Sequence, residues 1–77
     1  MFTNKHKGLI DFIKKQIGYD LTPVVDVRNS NRRGFTIDWN NIPRDRQRQI
    51  LDLANKYSWY KVWDNGGLGK FIEVGEF

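Results

Sequence analysis

The 77-residue sequence contains no cysteine. That absence removes disulfide staples, thiolate nucleophiles and every zinc site built on sulfur ligands, so the fold must stand on packing alone. Histidine is almost as scarce: His6 is the only one, and it lies in the polar, basic segment 1–7, where fraying is expected. The only serines are Ser30 and Ser58, and no spacing of Ser, His and Asp supports a nucleophilic triad. Asp11, Asp20, Asp26, Asp38, Asp45, Asp52 and Asp64 are scattered, without the acid-rich loop spacing of a calcium site. Long apolar runs are missing too, because Asp11, Lys14 and Lys15 interrupt the first candidate, and neither a membrane span nor a signal peptide is readable. These absences lead us to expect a non-enzymatic, cytoplasmic protein that needs no cofactor or metal and does not engage a membrane.

What is present is a globular composition. Hydrophobic residues make up 39% and aromatics 14%, with three Trp, three Tyr and five Phe, so large rings must supply much of the burial. A chain this short leaves a large share of its surface wet and cannot be divided into two cores, so one domain over residues 1–77 is expected. The net charge of +4 is unevenly placed. Residues 1–48 hold ten Lys and Arg against five Asp, and residues 49–77 hold three against four acids. A basic excess raises the local concentration of acidic partners, nucleic acid among them.

Leu9, Ile10, Ile13 and Ile17 recur at the spacing of one helix face, with Phe12 beside them, and predict a helix over residues 4–17. Thr3 or Asn4 can cap its start, and Gly18 can end it in the left-handed conformation. After Pro23 the period falls to two: Val25 and Val27 alternate with Asp26 and Arg28, and Phe35, Ile37 and Trp39 alternate with Thr36 and Asp38. Between them the polar run 29–34 predicts a hairpin with a long basic tip. Asn41 as cap and Pro43 in the first turn open a second helix reaching about Tyr57, with Ile50, Leu51, Ala54 and Tyr57 as its inner stripe. Segments 59–63 and 70–74 then alternate around Asp64, Asn65, Gly66 and Gly67, where Asn-Gly supplies positive φ cheaply. The order is αββαββ, an α+β class, and the economical packing is a four-stranded antiparallel sheet with both helices on one face. Residues 9–15 can be laid over residues 50–56 at a constant offset, an echo that two amphipathic helices also produce by chance.

Three constellations suggest function. In the first hairpin tip, Arg28, Arg32 and Arg33 sit among Asn and Ser, a set able to fork onto phosphate oxygens, although such residues also keep an ordinary loop solvated. Arg44, Arg46 and Arg48 lie in the first turns of the second helix, where cations oppose the helix dipole. An anionic partner would compensate them, and so would Asp45 and Asp52 as neighbours. Both clusters together predict a nucleic-acid-binding accessory or regulatory protein, of a composition that suits bacteria and their viruses. The third constellation follows if Tyr60, Val62, Ile72 and Val74 face the helices, because alternation then sets Trp59, Lys61, Trp63, Phe71 and Glu73 on the open face. Such an aromatic face would serve a protein partner or self-association, or stack bases. A one-residue slip of register would bury these rings instead. Gly66, Gly67, Gly69 and Lys70 share only composition with a phosphate loop, since a hairpin is the wrong context.

Overall fold

In the computed structural model, residues 3–66 and 69–75 are described. Helix α1 runs Asn4–Ile17 and buries Leu9, Ile10 and Ile13, the stripe read from the spacing. Thr3 caps it as half of a capping box whose other half is His6: the Thr3 side chain accepts the His6 N–H, and His6 Nδ1 accepts the Thr3 N–H at 3.1 Å. Gly18 closes the helix at φ 74°. The expectation that His6 sits in a frayed segment is therefore corrected. Its ring is fully buried, edge-on to Phe35 at 5.6 Å, because capping draws it inward.

Leu21 is buried and begins a one-turn 3-10 segment, Thr22–Val24, organised by Asp20 accepting both the N–H and the hydroxyl of Thr22. Strand β1, Val25–Asn31, pairs with β2, Gly34–Ile37, but not as a plain hairpin. Asp26 lies opposite Thr36 and Asn31 opposite Gly34, so four residues of β1, Val27 to Ser30, face Phe35 alone. Asp26 causes this excursion: its carboxylate accepts the Arg28 N–H at 3.1 Å and the Asn29 side-chain amide at 2.6 Å, a local alternative to the ladder. The tip shrinks to Arg32 and Arg33, held by Asn31 Oδ1, which accepts both the Arg33 and Gly34 N–H groups. The long basic loop expected from composition is thus mostly strand.

A second short 3-10 turn, Trp39–Asn41, leads to helix α2, Arg44–Lys56. Pro43 itself occupies the cap position, and Asn41 belongs to the preceding turn. The Gln47 side-chain amide donates to the Trp39 and Ile42 carbonyls and ties that turn to the helix. Ile50 and Leu53 form the buried stripe of α2, while Leu51 stays 39% exposed. Strands β3, Tyr60–Asp64, and β4, Lys70–Val74, complete the chain, and Gly67 of the expected turn lies outside the described residues.

The sheet is antiparallel throughout, in the order β1-β2-β4-β3. Val25 pairs with Ile37 as Tyr60 pairs with Val74, so the two αββ halves meet through their inner strands in a pseudo-twofold arrangement. One contiguous core joins Leu9, Ile13 and Ile50 of the helices to Phe35, Ile37, Tyr60 and Ile72 of the sheet. Helix α1 contacts α2 and β4, and α2 contacts β3. The Tyr60 hydroxyl, inside this core, donates to the Ile50 carbonyl at 2.6 Å, and burial pushes its pKa far above the ordinary tyrosine value.

Candidate functional site

The six arginines do not converge. Arg32 and Arg33 sit at the Gly34 end of β2, beside the start of α1, whereas α2 starts beyond the Ile37 end of the same strand. A four-residue strand alone separates the two groups by on the order of 10 Å, about the screening length in physiological salt. The two clusters therefore lie toward opposite ends of β2. Arg46 is also committed within the fold: its guanidinium donates to the Ile17 carbonyl at 2.8 Å and to Gln49 at 3.0 Å, and stands over the Tyr19 ring. The C-terminus of α1, with its unsatisfied carbonyls, compensates the cation that α2 carries in its first turn. Asp45 and Asp52, considered for that task, form no ion pair among the described residues, whose pairs are Lys14–Asp20 and Lys70–Asp64. Arg28, Arg32, Arg33, Arg44 and Arg48 are exposed.

The aromatic rings divide as well. Tyr60, Ile72 and Val74 are buried under the helices and Val62 is half-buried, so the expected register is correct. Trp63 is 49% exposed on the opposite face, opposite Phe71, and its indole N–H donates to Glu73 at 3.0 Å. Lys61, opposite Glu73, completes that face. Trp59 does not belong to it. The chain bends at Ser58 and Trp59 before β3 begins, which breaks the alternation, and the Trp59 ring stacks on Phe12 of α1 at 5.2 Å. Its ring stays 52% exposed on the helix side of the sheet.

Neither edge of the sheet could be assigned from sequence, because strand order depends on how the two hairpins dock. The edges differ in kind. At β1 the excursion of residues 27–30 folds across the sheet, its Asn29 carbonyl accepting from the Thr36 hydroxyl, and Thr36 is left 2% exposed. A bulged, polar edge of this sort resists further pairing. At β3 the register to β4 is regular over all five residues, and among the described residues no strand lies on its other side. Gly75 donates to the Trp59 carbonyl and Asn65 to that of Gly69, so odd-numbered residues of β3 bond to β4. The peptide groups of Tyr60, Val62 and Asp64 therefore point outward.

Beside this edge a cleft of about 430 Å³ runs between β3 and α2, lined by Leu51, Ala54, Asn55, Tyr60 and Val62. It adjoins, through Leu51, a second hollow lined by Trp39, Arg44, Gln47 and Arg48. An extended segment laid on β3 would direct alternate side chains into the cleft and onto Trp63.

No protein-family model, curated protein or solved structure matches the chain. The site's own geometry carries the argument. Among the described residues no group of three or more His, Cys, Asp or Glu could hold a metal ion, and no helix is long and apolar enough to cross a membrane. His6, the one imidazole, is enclosed between Thr3, Phe35 and the Asn31 backbone. Burial lowers its pKa, with a smaller contribution from the Lys5 cation, against an opposing contribution from the Asn31 backbone.

Proposed function

We propose that this chain is a non-enzymatic protein-binding module whose working surface is the β3 edge with Trp63, Lys61 and Phe71 on one side and the Leu51 cleft on the other. The observation that carries the reading is the unbulged β3 strand with the outward peptide groups of Tyr60, Val62 and Asp64. Strand addition draws affinity from such groups and specificity from the pockets that flank them. Trp63, half in water with its N–H oriented by Glu73, has the character of an interface anchor. The test is a titration of the isotopically labelled chain with a pool of extended peptides, read by the amide resonances of β3. Shifts centred on Tyr60, Val62 and Asp64 are expected, with at least tenfold weaker binding for Trp63→Ala at unchanged melting temperature. Shifts confined to other surfaces, or none at millimolar peptide, would end the reading.

A second reading is that the chain binds nucleic acid as an accessory protein, and the exposure of Arg32 and Arg33 on a two-residue turn favours it. Guanidiniums there, with Arg28, would contact phosphates, so binding should weaken steeply with salt. Failure to bind duplex or single strand at micromolar protein in low salt would exclude it.

A further inference from the structure

We infer that the strand added to β3 is β3 of a second copy of this chain, giving a twofold dimer with one continuous eight-stranded sheet. The inference rests on the protein-binding reading above and names its partner. Only residues 60, 62 and 64 turn their peptide groups outward, so a symmetric antiparallel pair has few registers. With Val62 opposite Val62 of the partner subunit, all three outward residues of each strand are used, Tyr60 facing the partner's Asp64.

The outer face favours the same register. It sets Lys61 of each copy opposite the partner's Trp63, ammonium against indole, at both ends of the interface. The rows across the seam then read Glu73, Lys61, Trp63, Phe71, using the partner's Trp63 and the partner's Phe71, and no like charges face each other. A shift of the dyad to residue 61 would oppose two lysines, which is unfavourable. A shift to residue 63 would leave Tyr60 without a β3 partner. Beneath the sheet the dyad brings Val62 together with the partner's Val62, between the two Leu51 side chains, each of which is 39% exposed in the single chain. The β1 edge cannot substitute, because its excursion at residues 27–30 interrupts the ladder.

The absence of native cysteine makes the register directly testable. In the proposed pairing Lys61 and the partner's Trp63 form a non-hydrogen-bonded pair with Cα atoms about 4.5 Å apart, within disulfide range. Lys61 and the partner's Lys61 are about 8 Å apart, beyond it. Mixing Lys61→Cys with Trp63→Cys under mild oxidation should yield the mixed disulfide in at least tenfold excess over either self-linked species. The companion measurement is sedimentation of the wild-type chain from micromolar to millimolar concentration, with Val62→Pro as comparison. Proline at 62 removes an outward N–H without touching the ladder to β4, and should raise the dimer dissociation constant at least tenfold. A wild-type chain that stays monomeric at millimolar concentration overturns the dimer, and the peptide titration then reports separately on the protein-binding reading. Equal self-linking and mixed linking, or a dimer indifferent to Val62→Pro, also overturns it by placing the contact elsewhere. Should Val62→Pro fail to fold, the disulfide ratio decides alone.

Discussion

Gly34→Ala isolates how tightly the two halves of the sheet are joined. A Cβ built on Gly34 would lie 1.8 Å from the Ile72 carbonyl oxygen and 2.8 Å from its carbon. Gly34 is not among the residues with positive φ, so alanine meets no conformational penalty and the whole cost is steric. An ordinary carbon–oxygen contact of about 3.3 Å requires β2 and β4 to separate by roughly 1.5 Å. Ladder bonds of about 2.9 Å would then stretch beyond hydrogen-bonding distance. The strands pair over four residues, Gly34 to Ile37, with the fully buried Phe35 and Ile72 in the middle. Two lost bonds and the gap opened between those side chains cost at least about 3 kcal/mol. A domain of this size holds a total stability of roughly 4–12 kcal/mol. Thermal unfolding followed by circular dichroism should show a melting temperature lower by at least about 12 °C. A fall of less than about 4 °C with an unchanged spectrum would refute the reasoning, because it would mean that the strands are not in this contact.

A second glycine of ordinary φ, Gly8, shows the opposite sign. Gly8 lies within α1 with open space around it, so Gly8→Ala should stabilise by about 0.5–1 kcal/mol in chemical denaturation. Tyr60→Phe removes the hydroxyl that donates to the Ile50 carbonyl inside the core, and should cost about 1 kcal/mol in the same assay while leaving the spectrum intact. The lowered pKa of His6 means that the folded state holds the imidazole neutral while the unfolded state protonates near 6.5. His6 therefore contributes stability that is present above 6.5 and is lost as pH falls through its lowered folded value. Melting temperature should fall between pH 7.5 and pH 5. In His6→Gln, which preserves the capping-box pattern without a titrating group, that fall should be reduced.

Local chemistry explains what could be read in advance. The Thr3 cap, the Leu9–Ile13 stripe and the Gly18 stop are all written within one helix, and the inward set Tyr60, Val62, Ile72 and Val74 follows from period two. Features that depend on distant residues were hidden. Arg46 answers a carbonyl at Ile17, on another helix, and no local pattern announces that pairing. Trp59 leaves the outer face because the chain bends one residue before β3, a change of direction that alternation does not register. A signal did exist for the β1 excursion. Asp26 precedes Asn29 and Ser30, residues whose side chains compete with the ladder for backbone groups, yet their polarity reads equally as a loop. The open β3 edge, which carries the functional argument, is a property of strand order and emerges only when the hairpins dock through β2 and β4.

Amide hydrogen exchange within β3, measured in dilute and in concentrated protein, tests the central claim most directly. Lys61 and Trp63 bond to β4 and should be protected at every concentration. Tyr60, Val62 and Asp64 should exchange freely when dilute and become at least tenfold slower when concentrated, as their N–H groups find the partner strand. Rates at these three residues that do not change with concentration would contradict the pairing of β3 with a second copy.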